Sequence, residues 1–203
     1  MDFAIYLNAV TALFVIIDPI GAALIFHSLV PVSDTRHRVR MALKAILISA
    51  ILLIVFGNYG EPFLSKLGIS IDALRISGGL LLFFTAFNMI TRDIEYSQST
   101  ERKDISVFPM SIPMLAGPGS LTLSILLFSS AQSIADHPVS AQLSVLAAIL
   151  TISAITLVLM LLSQFVKVVI GRTGDEILRR FLGVILAALA IQFVADGVAG
   201  MGL

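Results

Sequence analysis

The chain alternates long apolar runs with short polar interruptions. Six runs stand out, at residues 3–30, 41–59, 73–91, 107–131, 142–166 and 181–199. A helix needs about 20 apolar residues to cross the hydrocarbon core of a bilayer, so each run predicts a transmembrane helix. The segments between them carry ordinary stop signals. Ser33-Asp34-Thr35-Arg36 closes the first run, Glu61-Pro62 follows the second, and a charged stretch from Arg92 to Asp104 follows the third. Asp136-His137-Pro138 comes after the fourth, and Gly171-Arg172-Thr173-Gly174-Asp175 after the fifth. The longest connection, 92–106, is too short for a folded domain. The pattern predicts an all-α membrane protein of six transmembrane helices, with residues 1–203 forming a single integral membrane domain.

Two of the runs are interrupted by helix breakers. Asp18-Pro19-Ile20-Gly21 lies inside the first, and Gly117-Pro118-Gly119-Ser120 inside the fourth, where Pro109 and Pro113 further weaken helix continuity. Lipid offers no hydrogen bonds, so a broken helix is tolerated only where protein or a polar cavity surrounds the freed backbone. Helices 1 and 4 are therefore expected to be broken. Paired breaks at corresponding places in two halves point to a binding site near the bilayer midplane.

The halves correspond in sequence as well. At an offset of 104, Asp72 meets Glu176, Leu74 meets Leu178, Arg75 meets Arg179, Gly79 meets Gly183, Leu82 meets Leu186, Ala86 meets Ala190 and Asn88 meets Gln192. Pro19 meets Pro118 at an offset of 99, and a longer loop in the second half absorbs the difference. Three spans per half is an odd number, so the expectation is two inverted three-helix repeats, about 1–92 and 105–203. Gly79, Leu82 and Ala86 share one helical face, as do Gly183, Leu186 and Ala190. Small residues there let helix backbones approach closely.

Composition agrees with this picture and narrows the chemistry. The chain is 58% hydrophobic and 13% charged, with mean hydropathy +1.01; a soluble domain carries roughly 25% charged residues. There is no cysteine, which removes disulfides, thiolate metal sites and thiol catalysis. The net charge is zero and no basic cluster is interleaved with aromatics, so nucleic acid is not an expected partner. The start, Met1-Asp2-Phe3, lacks a basic n-region, so the first run reads as a retained span and not as a cleavable signal peptide. Of thirteen Lys and Arg residues, eleven follow spans 1, 3 and 5 (Arg36, Arg38, Arg40, Lys44, Arg92, Arg102, Lys103, Lys167, Arg172, Arg179 and Arg180), against Lys66 and Arg75 on the opposite side. The positive-inside rule places the eleven in the cytoplasm and both termini outside.

Asp18-Pro19-Ile20-Gly21, Arg75-Ile76-Ser77-Gly78-Gly79, Ile112-Pro113-Met114-Leu115-Ala116-Gly117-Pro118-Gly119, and Gly183 through Ala188 with Gln192-Phe193 also carry a resemblance. Over essentially its whole length the chain resembles the MarC family of bacterial inner-membrane proteins, which looks like a branch of a wider group of six-span transporters that includes amino-acid and metal-ion exporters. The resemblance implies an inner-membrane location and a transport role, without naming a substrate. One departure stands out: the family usually shows Asn before the first Pro-x-Gly, and this chain has Asp18.

The candidate site residues follow from these patterns. A carboxylate near a helix centre in lipid costs on the order of 3 kcal/mol on insertion scales, so Asp18 either faces a cavity, as a proton or cation site, or caps the half-helix that begins at Pro19. Both roles are compatible, and Gly21 completes the break. At the second break, Gly117, Pro118, Gly119 and Ser120 offer a helix N-terminus suited to an anionic group, Ser120 being a capping candidate and Thr122 and Ser124 adding polar groups. Arg75 and Arg179 are candidates for gating, with local pairing to Asp72, or to Glu176 and Asp175, as the plainer account. Asn88 and Gln192 either line the cavity or hydrogen-bond between helices, and Asp196 reads as a solvated helix end. His27, His37 and His137 lack metal-ligand spacing; His37 and His137 read as loop residues. No catalytic motif or nucleotide-binding loop is present, and no metal or cofactor is expected.

The leading expectation is a secondary transporter, with export as one direction, moving a small polar or anionic solute by alternating access. Its partners would be membrane lipid, the solute, and a coupling proton or cation, with an oligomer left open. A membrane-embedded enzyme acting on lipid would have Asp72 and Arg75 on one side and Glu176, Arg179 and Arg180 on the other, but no clear nucleophile. A non-transporting membrane scaffold would leave the duplicated breaks unexplained.

Overall fold

A computed structural model of the protein describes residues 2–30, 34–91, 104–133 and 138–202, the side chains of residues 172 and 175 excepted. The described chain is helical. Asp2 opens α1 (Phe3–Ile17), its carboxylate accepting from the N–H groups of Ala4 and Ile5 at 3.0 and 3.2 Å. After α2 (Pro19–Leu29) comes α3 (Thr35–Lys66), whose first turn is capped by Asp34 through the His37 N–H at 2.9 Å. Next are α4 (Ile71–Thr91), a wide-turned segment Ser106–Leu115, α5 (Pro118–Gln132), α6 (Pro138–Leu161) and α7 (Ser163–Gly200). Five stretches are long and apolar enough to span a bilayer: Phe3–Leu29, α3, α4, α6, and Glu176–Gly200 of α7. The Ser106–Leu115 segment and α5, bent by 57°, make a sixth if taken as one span.

Two predicted stops fall elsewhere. α3 runs through Glu61-Pro62 to Lys66. Proline removes only the bond its N–H would give the Asn58 carbonyl, and one missing bond this close to the helix end does not stop it. The stop is Gly68, at φ 74°, where Gly68 N–H reaches Ser65 O at 3.0 Å and Ile69 N–H reaches Leu64 O at 2.9 Å. These two bonds satisfy the last carbonyls of the helix around a left-handed residue. In the second half, the fifth run ends earlier than predicted, at Leu161; the chain resumes at Ser163 and turns at Gly171, φ 66°. Gly171 lies 103 residues after Gly68. His37 sits in the first turn of α3 and not in a loop. Arg92, Arg102, Lys103, Asp136 and His137 lie outside the described residues.

α4 and α7 pack antiparallel at van der Waals distance. A Cβ built on Gly79 would lie 2.7 Å from the Ala190 carbonyl oxygen and 2.8 Å from Val194 Cγ2. One built on Gly183 would lie 2.9 Å from Ile90 Cγ1 and 3.3 Å from the Ala86 carbonyl oxygen. Under the 104-residue offset these are one contact made twice, since 79, 86 and 90 become 183, 190 and 194. Leu82, Ala86, Leu186 and Ala190 form a separate buried cluster at the middle of this pair, with Val15, Ile16 and Phe193 against it. The outer face of α4, with Leu80, Leu81, Phe83, Phe84 and Phe87, is exposed. In water such a face would mark an interaction site; here it is the side turned to lipid.

The remaining helices interlock across the halves. α6 lies on α1 and α2, while α3 lies on α5 and the Ser106–Leu115 segment. Gly57 and Gly60 of α3 make room for Phe128, Ser124 and Ile125 of α5, and Ser124 Oγ donates to the Leu53 carbonyl at 2.7 Å. The main core, including Leu13, Phe26, Leu53, Met110, Phe128, Ile149 and Met160, is filled from both halves. Because the α4–α7 approach leaves no room for a methyl group against the Ala190 carbonyl, Gly79→Ala is expected to destabilise the fold by about 1–3 kcal/mol through overpacking. Leu80→Ala on the exposed face should cost less. Thermal unfolding in detergent measures both, and equal midpoints would contradict the packing argument.

Candidate functional site

The first break is built from a single residue. Asp18 is the only described non-glycine residue with positive φ, at φ 48° and ψ 69°. Asp and Asn tolerate this left-handed conformation better than other side chains. It serves both helices at once. Its N–H bonds the Phe14 carbonyl at 3.1 Å and ends α1, and its carbonyl accepts from Ala22 N–H at 2.9 Å and starts α2. Its carboxylate folds back over the α2 N-terminus, where Oδ1 accepts from Gly21 N–H at 3.0 Å. Pro19, the first residue of α2, has no N–H to satisfy. Gly21 is what lets the carboxylate lie there: a Cβ on it would stand 2.2 Å from Asp18 Oδ2.

The second break is built differently. The chain enters through two successive wide turns, with Met110 N–H on the Ile105 carbonyl at 3.2 Å and Ala116 N–H on the Ser111 carbonyl at 2.7 Å. Phe108 and Ile112, each before a proline, are extended, as that position favours. Hydroxyls collect the carbonyls this leaves. The buried Ser111 Oγ reaches the carbonyls of Ser106 at 2.6 Å and Ala45 at 2.9 Å. Ser120 Oγ reaches those of Leu115 at 2.8 Å and Gly117 at 3.1 Å. Ser120 therefore does not cap α5, contrary to the sequence expectation. It is the third residue of the helix, and its hydroxyl donates backwards to carbonyls that the proline break frees. Gly117 holds the N-cap position and has no side chain to offer, so the first turn of α5 presents the N–H groups of Gly119 and Ser120 without a side-chain acceptor. Gly117 also accommodates the Pro113 carbonyl, 2.2 Å from where its Cβ would be.

The second break approaches the turn that precedes the first, beside the α4–α7 pair. A Cβ on Gly119 would lie 2.2 Å from Leu82 Cδ2 and 3.8 Å from Ile16 Cγ2, and Ile16 stands two residues before Asp18. Thr122 packs on Gly78 of α4, one turn further along, and its hydroxyl returns to the Pro118 carbonyl at 2.9 Å. Gly119 and the last turn of α1, just before Asp18, thus both lie against the Leu82 and Leu186 cluster.

Asn88 and Gln192 do not join them there. Position 192 is level with Gly79, and Asn88 is level with Gly183, so the two amides are separated by roughly 13 Å along the helix axis. Asn88 is half-buried; Gln192 is exposed and donates to Asp196 Oδ1 at 2.6 Å. Arg75 Nη1 pairs with Asp72 Oδ1 at 2.8 Å, where Asp72 backs onto Gly197 and Gly200 at the end of α7. In the second half Glu176 pairs with Arg180, one turn on, and not with Arg179; a helix brings i and i+4 together as readily as i and i+3. Lys44 and Asp104 join α3 to the start of the wide-turned segment at 2.5 Å. The hydrogen bonds from Lys44 and Ser106 hold the Asp104 carboxyl down at about 2.

Ser111 and Arg38 were not legible as structural residues. Ser111 sits in an apolar run where a lone serine carries no signal. Arg38 reads as one more basic loop residue, yet it is 4% exposed.

Comparison with known proteins gives a consistent result. A family described as "MarC family integral membrane protein" matches residues 3–202. A UPF0056 membrane protein of Methanocaldococcus jannaschii is 32% identical over 207 residues, covering 98% of both chains. One from Archaeoglobus fulgidus is 34% identical, covering 98% of this chain and 96% of its own. The protein YhcE of Escherichia coli is 29% identical, covering 98% and 94%. No solved structure matches the chain.

The geometry at Asp18 separates its two chemical properties. Asp18→Asn keeps both the left-handed tolerance and an oxygen for the Gly21 N–H, and should unfold near the wild-type temperature. Asp18→Ala loses the cap and the tolerance, at about 1–3 kcal/mol. If both variants melt together in detergent, the cap is not what holds the break.

Proposed function

The chain belongs to the MarC family of integral membrane proteins, and we propose that it is a secondary transporter of a small polar or anionic solute, working by alternating access in the bacterial inner membrane with both termini outside. In this reading the two breaks belong to inverted repeats, with broken helices 1 and 4 as the symmetry-related pair. The observation that supports it is the approach of Gly119 to Ile16, in the turn before Asp18, beside the reciprocal α4–α7 contact. The same-sign glycine turns at Gly68 and Gly171 support the repeat. Contacts that exchange under the offset are what two equivalent packings of one bundle require, since rocking then trades one half's role for the other's.

The chemistry divides between the breaks. Gly119 and Ser120 offer N–H donors at a helix N-terminus, where the macrodipole favours the negative part of a solute. Asp18 already balances the N-terminus of α2 with its own charge, so that side takes the coupling proton or cation. Leu82 and Leu186 form the apolar partition between the two. At one end of the bundle the Asp72–Arg75 pair, seated against Gly197 and Gly200, joins the halves and acts as a gate; Arg179 is its counterpart at the other end. The solute is carried unchanged, with no catalytic residue or cofactor assigned.

Reconstitution in proteoliposomes tests this, after a thermal-shift screen of amino acids, small anions and metal ions has chosen the solute. Wild-type protein should show counterflow of the stabilising solute, and Asp18→Asn should lower it at least about tenfold while folding normally, a change of some 1.4 kcal/mol in barrier. Gly119→Leu should lose it as well. Absence of counterflow for every solute that stabilises the protein, or undiminished counterflow in both variants, would falsify the proposal.

A further inference from the structure

The end of α2 carries a buried cation with no anion beside it among the described residues. Arg38 stands one turn into α3 and is 4% exposed. Its Nη1 donates to the Val30 carbonyl at 3.1 Å and its Nη2 to Ser163 Oγ at 2.6 Å. Its guanidinium carbon lies 5.4 Å from the centroid of the Phe26 ring. All three partners are neutral. The carbonyl end of α2 and the ring face offset part of the charge, but a buried cation ordinarily requires a formal counter-charge. Asp34, the nearest acid in sequence, accepts from the His37 N–H at the start of α3.

Two more basic groups converge on the same place. His27 follows Phe26, and its Nδ1 is shielded from solvent with no hydrogen-bond partner. Arg38 and Lys167 are the charges that act on it. Lys167 stands one turn after Ser163, so it shares the helical face that Arg38 touches, and it is exposed. Along the same eight-residue stretch Phe165, Val168 and Val169 are 69%, 83% and 82% exposed. Apolar side chains beside a cationic cluster at the end of a membrane bundle suit a lipid: acyl chains on the first, headgroup on the second.

We propose that His27, Arg38 and Lys167 form a binding site for a phosphate group, supplied by an anionic phospholipid of the adjoining leaflet. Lys167 meets the headgroup directly as a mobile point charge. His27 lies beneath the same surface, close enough to be acted on by both cations. Arg38 supplies its field from beneath, held in place by Val30 and Ser163. Because Arg38 bonds both the end of α2 and the start of α7, an occupied site fastens the two halves at this end. The site is independent of the solute region at the breaks and does not rest on the transport reading.

The test uses the full chain in detergent, titrated with phosphatidylglycerol, phosphatidylcholine or inorganic phosphate, and read by thermal unfolding and by native mass spectrometry of retained lipid. At a hundredfold excess over Kd, phosphatidylglycerol should raise the midpoint by roughly 5–10 °C, and phosphatidylcholine by much less. H27A/K167Q should lose at least half of that difference, and K66Q at the other end none. Lys167→Gln alone, an exposed change that leaves the fold untouched, should reduce the number of phosphatidylglycerol molecules retained. Equal shifts with the two lipids, or a phosphatidylglycerol shift and lipid count that survive both His27 and Lys167 substitutions, overturn the proposal. A shift with inorganic phosphate as large as with phosphatidylglycerol overturns the lipid source.

Discussion

A backbone polar group inside a bilayer must be satisfied by the protein, because lipid provides neither donor nor acceptor. Each feature near the two breaks can be traced to that constraint. At the first, the solution is one residue in a left-handed conformation that terminates α1 with its N–H, starts α2 with its carbonyl and covers the next free N–H with its carboxylate. Glycine would supply the conformation without the side-chain acceptor. Serine or threonine would supply an acceptor without easy access to the conformation. Only Asp and Asn supply both. At the second break, the same constraint is met by hydroxyls that donate to carbonyls, through Ser111 and Ser120. No side chain caps the first turn of α5 there, so the N–H groups of Gly119 and Ser120 are left without a side-chain acceptor. The two breaks are thus complementary in what they leave open.

Close packing depends on a second constraint, the absence of a hydrophobic driving force between helices already in an apolar medium. Association has to come from contact area and short approach. That explains why glycines mark several of the crossings: Gly57 and Gly60 against α5, Gly78 against Thr122, and Gly79 and Gly183 between α4 and α7. It also explains why the larger core side chains come from both halves and not from one. Neither half encloses a core of its own, so a half alone would present its Gly-lined faces to lipid. The interlocked halves are tied by hydrogen bonds as well, among them Tyr6 to Thr151, Arg38 to Ser163 and Ser124 to the Leu53 carbonyl.

Much of this was written in the sequence, because the bilayer imposes a length and a composition on every span. The runs at 3–30, 73–91 and 181–199 coincide closely with the helices found, and the 104-residue offset picked out the glycines and alanines that actually touch. Stops were less legible. Pro62 looks like an end, but a proline in the last turn removes one bond, whereas Gly68 reverses the backbone. Ser120 matched a capping pattern, yet the direction of its hydrogen bond depends on which backbone groups the break exposes, and that is a property of three-dimensional geometry. Arg38 was hidden for a related reason. Charge counting treats all basic residues near the ends of the spans alike, and only the meeting of α2, α3 and α7 separates a buried guanidinium from its exposed neighbours Arg36 and Arg40.

The position of the charges gives the remaining asymmetry its meaning. The guanidinium of Arg38 lies at the C-terminus of α2 and the carboxylate of Asp18 at its N-terminus, so each lies where the dipole of α2 stabilises it. Both are placed where an apolar surround makes any change in net charge expensive. A proton arriving at Asp18 would cancel its charge while leaving the carboxyl an oxygen for the Gly21 N–H, so the cap would survive and the field at the α2 N-terminus would not. Asn at this position would preserve the turn and the cap while removing the charge, so the carboxylate in this chain adds to the break an ionisable property that the fold itself does not require.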